Sequence, residues 1–268
     1  MGNTVSLRPL LLRSILLAVS AGCATVPPSS TNLPLRSPPG SAAVALTGPI
    51  HTIVIDAGHG GQDPGTSHFG LKEKHLALDI ARRLRTQLQR AGFTVVMTRE
   101  SDRFIPLSGR SGVANRLKAD LFVSIHINAN NNSRTSGAEV YYPRVSVVSA
   151  NAQWPPSVQT SEVSMPTLTV KQILWDLVLG QTRTHAHRLA ASTCSSLRHG
   201  LDVSCKTKAA RFVVLREAWM PSVLVEVGYV TNPQESRRLN TPDYREAAAQ
   251  SITQGILSYA RELGAEHI

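Results

Sequence analysis

The 268-residue chain has no arginine-rich helix and no basic strand interleaved with aromatics, so its charge does not by itself make it a nucleic-acid binder. No apolar run is long enough to cross a bilayer. No stretch repeats. Acidic side chains are the scarce ones, 18 Asp and Glu against 28 Lys and Arg, which leaves a formal charge of +10. A basic surface favours polyanions: nucleic acid, anionic lipid or an acidic cell-wall polymer. With 42% hydrophobic residues the chain can bury a full core in one or two domains.

Residues 1–23 read as an export signal. Arg8 and Arg13 flank a basic start, Ser14 to Ser20 is a short apolar core, and Ala21-Gly22-Cys23 follows. Small residues before Cys23 resemble a bacterial lipoprotein signal whose cysteine is acylated after cleavage, although Ser20 stands where a larger aliphatic is usual. The start Met1-Gly2-Asn3-Thr4-Val5-Ser6 also fits a myristoylation pattern, which the following arginine-flanked run argues against. Residues 24–48 form a Pro-, Ser- and Ala-rich linker, with Pro27-Pro28 and Pro38-Pro39, ahead of a domain at 49–268. The expectation is an exported monomer, periplasmic or tethered to an outer membrane, touching lipid only through an anchor at Cys23. The other cysteines, Cys194 and Cys205, either pair across a short loop or remain buried thiols.

From His51 onward strand-like and helix-like segments alternate. Strands are expected at Thr52–Ile55, Phe93–Thr98, Leu121–Ile127, Ala138–Tyr142, Phe212–Leu215 and Val223–Val227. Helices are expected at Glu73–Arg90, Ser108–Lys118, Val170–Leu179, Arg183–Leu197 and Tyr244–Leu263; in the first, Leu76, Ile80, Leu84 and Leu88 recur every four residues before Gly92. Such alternation predicts a three-layer α/β domain with helices on both faces of the sheet.

Two of these strands end in histidine. The run Thr52-Ile53-Val54-Ile55-Asp56-Ala57 breaks at Gly58-His59-Gly60-Gly61, and Leu121 to Ile125 leads into His126. In α/β sheets ligands bind beyond the carboxyl ends of strands, where both imidazoles fall. Glu73 follows the first loop at the start of a helix. A favourable placement against the helix dipole explains Glu73 but leaves the histidines without a role. Two neutral imidazoles and one carboxylate, with a fourth position open, are the ligand set of a catalytic zinc. Glu226, among Val223, Leu224, Val225 and Val227, is either a buried carboxylate paired with an arginine or an acid–base group.

Asp56 to Gly65, Glu73-Lys74, Thr98-Arg99, Ser124 to Asn128 and Val225 to Asn232 together resemble the zinc-dependent N-acetylmuramoyl-L-alanine amidases of the amidase-3 family, over nearly everything from His51 to about Ala260. The resemblance implies a mixed, six-stranded twisted sheet flanked by helices. It implies zinc held by His59, Glu73 and His126, and Glu226 as the catalytic carboxylate. The implied substrate is peptidoglycan, cut between the lactyl group of N-acetylmuramic acid and L-alanine. Zinc acidifies water toward a pKa of about 7, and Glu226 is placed to move the proton. Two other readings remain open: a peptidoglycan binder that lost turnover, and another zinc hydrolase acting on wall peptides.

Arg216 is a candidate substrate contact or a solvated strand-end charge. Asn128 orients the loop beyond His126 or simply forms a turn. Arg99 and Arg110 are expected to fix loops by salt bridges, and Asp63-Pro64-Gly65 to be turn chemistry. His185 and His187 make a poor metal pair, and His51, His68, His75, His199 and His267 read as surface residues. Some family members carry an inserted helix that blocks the zinc until an activator protein displaces it. Residues 144–176, with Glu162 or Asp176 as plug, are where such a device would sit, although a surface loop also explains them.

Overall fold

The structure, a computed structural model, describes residues 50–144 and 168–265. Along the chain come β1 (Thr52–Ala57), β2 (Ser67–His68), β3 (Leu71–Lys72), α1 (Glu73–Arg90), β4 (Thr94–Met97), α2 (Leu107–Leu117), β5 (Leu121–Asn128) and β6 (Ala138–Pro143). Then follow α3 (Leu168–Leu201), β7 (Cys205–Ala210), α4 (Val213–Arg216), β8 (Ser222–Tyr229), α5 (Pro233–Leu239) and α6 (Pro242–Ala265). Six strands make one sheet in the order β4-β1-β5-β8-β6-β7, while β2 and β3 form a small hairpin. Within the six-stranded sheet, among the described residues, only the β6–β8 pair is antiparallel, so the sheet is mixed, as expected.

Strand residues alternate between faces, and the two faces differ. Ile53, Ile55, Val123, Ile125, Val223 and Val225 lie on one face, fully buried beneath α1, α3 and α6. The predicted stripe of α1, Leu76, Ile80, Leu84 and Leu88, packs into the same core. Each such side chain contributes about 1.5–3 kcal/mol of burial. Val54, Phe122 and Leu224 face the other way, into a smaller cluster under α2 and α4. Helices therefore cover both faces, giving the three-layer α/β architecture.

Two expectations need correction. The two helices expected between Val170 and Leu197 are one, α3, with Gly180 inside it. Its interior glycine costs about 1 kcal/mol relative to alanine, which packing along α6 outweighs. The expected strand Phe212–Leu215 is absent: Val213–Arg216 is the one-turn helix α4, and the strand lies upstream at Cys205–Ala210. That strand, β7, is the sheet edge, with Lys206, Thr207, Lys208 and Ala209 exposed. A disulfide joins Cys194 on α3 to Cys205 at its start. Such bonds persist in oxidising compartments, which agrees with export.

Among the described residues no helix is long and apolar enough to cross a membrane. Cys23 and Glu162 lie outside the described residues, as does the side chain of Asp176.

Candidate metal centre

Asp56, near the end of β1, is fully buried and fully partnered. It accepts hydrogen bonds from Thr98 Oγ1 and Ser124 Oγ, both 2.7 Å, and pairs with Arg110 at 2.9 Å. Arg110 also donates to the carbonyls of Ala57 and His59, each at 2.8 Å. Arg99, 0% exposed, donates to Ala57 O (2.9 Å), Gly58 O (2.7 Å), Lys74 O (2.8 Å) and Ser101 O (3.2 Å). The salt bridge expected of Arg110 is present. Arg99 works instead through carbonyls, because a buried guanidinium must satisfy its donors with whatever the backbone offers. It ties the strand end that carries His59 to the first turn that carries Glu73.

His59 needs this bracing. Its φ of 58° lies in the left-handed region, at a cost of about 1–2 kcal/mol for a residue with a Cβ. Two glycines make room around it. A Cβ on Gly58 would stand 2.4 Å from the His126 ring, and one on Gly65 (φ 65°) would stand 2.5 Å from Glu73 Oε2.

Around that space three ligand groups converge. Glu73, 4% exposed at the start of α1, places Oε1 3.1 Å from His59 Nε2 and 2.8 Å from His126 Nδ1. All three candidate donor atoms lie within 4.8 Å of one another. The outer atoms are also held. His59 Nδ1 meets Asp63 Oδ2 at 2.8 Å, and Glu73 Oε2 accepts the Thr66 N–H at 2.9 Å. Glu73 Oε1 also accepts the Ile127 N–H, at 3.1 Å. Burial works to raise the Glu73 pKa, but hydrogen bonds from His126 and His59 hold it well below the usual carboxylate range. Burial works to lower that of His59, and Glu73 and Asp63 outweigh it, so the imidazole is displaced upward. Two nitrogens aimed at one ionised carboxylate oxygen, with His59 and Glu73 each fixed by outer partners, fit a divalent zinc ion.

Asp63 does more than the turn formation that its Asp-Pro-Gly setting predicts. It does bond its own loop, accepting the Gly65 N–H at 3.0 Å, but its other oxygen orients His59. A carboxylate four residues after a ligand histidine was the available signal.

Glu226 stands on the neighbouring strand, in register with His126 on β5 and with Glu139 on β6. The residue keeps partial exposure, yet its Oε2 is shielded and has no hydrogen-bond partner among the described residues. The arginine pairing considered for it is therefore not present there. Burial first, then the charges of Glu73 and Glu139, push its pKa well above the ordinary value. Glu139, missed in the sequence, is 6% exposed and accepts from Lys208 Nζ, Tyr141 OH and Asn128 Nδ2. Burial works to raise its pKa, but the hydrogen bonds, Lys208 first, bring it below the usual value.

Asn128 closes β5: its Oδ1 accepts the Ala129 N–H and its carbonyl the Val230 N–H. Arg216 is exposed at the end of α4, 3.7 Å from Glu217, with no contact to the three ligand residues. His185 meets the Tyr259 hydroxyl and His187 packs on the Tyr142 ring, so neither joins the cluster. His51, His68, His75 and His199 are exposed, as expected, and His267 lies outside the described residues.

Residues 53–258 match the family model "Amidase_3: N-acetylmuramoyl-L-alanine amidase". The chain is 37% identical over 224 residues to N-acetylmuramoyl-L-alanine amidase AmiA of Escherichia coli, covering 80% of this chain and 77% of AmiA. It superposes on N-acetylmuramoyl-L-alanine amidase AmiC2 of Nostoc punctiforme with a TM-score of 0.61 and 32% identity, over 79% of this chain and 97% of that one. The catalytic domain of CwlV from Bacillus (Paenibacillus) polymyxa var. colistinus gives a TM-score of 0.62 at 29% identity, over 79% and 99% of the two chains. Strand order, converging ligands and full-domain similarity agree: the chain belongs to the Amidase_3 family of N-acetylmuramoyl-L-alanine amidases.

Proposed function

We propose that this chain hydrolyses peptidoglycan at the amide between the lactyl group of N-acetylmuramic acid and L-alanine. His59, Glu73 and His126 hold one zinc ion per chain, and Glu226 moves the proton. The observation that carries the reading is positional. Three zinc-type donors from the turn after β1, the start of α1 and β5 meet beside a strand whose in-register residue is a carboxylate with a buried oxygen unpartnered among the described residues.

Zinc, when bound, supplies a Lewis acid that polarises the scissile carbonyl and acidifies water. The protein's own residues supply the rest. Asp63 fixes the His59 ring so that Nε2 faces the centre, and the Thr66 and Ile127 amides fix the Glu73 carboxylate. Glu226 takes a proton from the attacking water and returns it to the amide nitrogen as the carbon–nitrogen bond breaks. A carboxyl whose pKa burial raises well above the ordinary value is suited to both halves of that transfer. Asn128 helps to set the Glu139 side chain next to Glu226. Arg216, exposed on the same face, is assigned to substrate carboxylate binding.

The domain at 49–268 is read as the catalytic unit, behind an export signal at 1–23 and a linker at 24–48. Acylation at Cys23 would tether it in the periplasm at a membrane surface, and the linker would let it reach the wall. Residues 144–176 remain the candidate for control by an activator protein.

The test is digestion of purified sacculi by the zinc-loaded chain, followed by identification of the new amino terminus. L-alanine supports the reading. Any other terminus, or intact sacculi with full zinc, contradicts it.

A further inference from the structure

Across the sheet, His126, Glu226, Glu139 and Lys206 stand in register on β5, β8, β6 and β7. Strands lie about 4.8 Å apart, so Lys206 sits roughly 10 Å from Glu226 along this row. The metal ligands all lie on the β5 side of Glu226. A general acid must touch the nitrogen it protonates, so the scissile nitrogen is on Glu226 and the carbonyl oxygen toward the ligands. The peptide that leaves with that nitrogen then runs away from the metal centre, over β6 and β7. At about 3.3–3.6 Å per residue, two residues span some 7 Å and bring the second side chain or its carboxylate over the edge strand.

Two ammonium groups wait there. Lys208 Nζ is anchored on Oε1 of the buried Glu139 and lies 5.7 Å from the centroid of the Tyr141 ring. The side chain is still 43% exposed, so the cation is fixed and yet accessible. Lys206 is exposed and has no ion-pair partner among the described residues. Lys208 and Glu139 cancel one another, leaving the patch one charge positive through Lys206. Anchoring reduces the side-chain entropy lost when a carboxylate binds, which separates Lys208 from an ordinary surface lysine.

We propose that Lys206 and Lys208 form a carboxylate-binding subsite for the stem peptide, recognising the acid group that follows L-alanine. This rests on the amidase reading and adds to it a direction for the substrate and a preference for free carboxylate over carboxamide.

The probes are N-acetylmuramoyl-L-alanyl-D-glutamate and N-acetylmuramoyl-L-alanyl-D-isoglutamine, which differ at one carboxyl. The zinc-loaded full chain should favour the acid by about tenfold in kcat/KM, the order expected of two partly exposed charge pairs, with the difference in KM. Lys206→Gln should reduce this ratio several-fold, although Lys206 does not touch Glu139. Lys206→Gln with Lys208→Gln should bring it near one, and Lys206→Arg should keep it. A native ratio near one, a ratio unchanged in the double variant, or an equal loss on both probes overturns the subsite. If native enzyme cleaves neither probe, the sacculus digestion decides the amidase reading, and equilibrium dialysis of both probes against native and double variant decides the subsite alone. Tighter binding of the acid, lost in the double variant, upholds it; equal binding overturns it.

Discussion

The two faces of the central sheet are one residue out of phase, and they do different work. On β1, Ile53, Ile55 and Ala57 point to α1, α3 and α6, while Val54 and Asp56 point the other way. On β5 the same alternation sets Val123, Ile125 and Ile127 against Phe122, Ser124 and His126. On β8 it sets Val223, Val225 and Val227 against Leu224 and Glu226. On these three strands the residues named on the first face are all apolar. The other is apolar only under α2 and α4 and becomes polar toward the carboxyl ends of the strands. Period-two side-chain geometry thus lets a single buried strand hold the core with one set of residues and present chemistry with the next.

The sharpest separation is expected from Glu226→Gln on the polar face. Turnover should fall by about 10²- to 10⁴-fold, the usual contribution of a general acid–base group, with zinc content unchanged. Stability should move the opposite way in chelated protein. The Glu226 pKa is raised in the folded state, so the native state is favoured while the group is protonated. That advantage is full below the unfolded value of about 4.3 and is lost as pH rises toward the folded value. Glutamine removes this slope and should raise Tm at neutral pH, by about 2–4 °C per kcal/mol relieved. A lower Tm would show that the carboxylate is a structural partner.

On the apolar face, Leu84→Ala should cost about 2–5 kcal/mol in urea unfolding while kcat per folded molecule stays the same. A large change in kcat would mean the faces are coupled. Asp63→Ala should weaken zinc binding about 10- to 100-fold in chelator competition with little change in Tm. An unaltered affinity would return Asp63 to turn formation alone. The smallest effect is the pH dependence of zinc binding. Zinc needs neutral His59, whose pKa lies above 6.5 in the metal-free state, so affinity should begin to fall on acidification before pH 6.5 is reached. An affinity flat down to pH 6.5 would contradict the contacts drawn around that ring.

Much of this was legible in the chain because the strands that deliver ligands are buried on both sides. Their β-branched runs and the glycines that break them mark His59 and His126 directly. Edge strand β7 was not legible. With one buried residue, Cys205, and the sequence Lys206-Thr207-Lys208 it carries no hydrophobic signal, and the apolar Phe212 to Leu215 drew the strand assignment instead. Glu139 escaped for a related reason: its role depends on which strand lies beside which, and the antiparallel insertion of β6 next to β8 is a long-range choice that local pattern does not encode. Asp63 differs, because its contact with His59 is local and its four-residue spacing is hidden by the turn chemistry of Asp63-Pro64-Gly65. Arg99 was identified as a loop brace but with the wrong partners, since backbone carbonyls leave no trace in a sequence.

Zinc stoichiometry measured side by side in native, Glu73→Gln and Glu226→Gln chains after dialysis against buffered zinc is the most direct probe of the arrangement. One ion in the native and Glu226→Gln chains, with turnover only in the native, and a strongly reduced content in Glu73→Gln are the predicted results. Equal zinc in all three, or loss of zinc from Glu226→Gln, would show that the metal sits elsewhere or that Glu226 is itself a ligand.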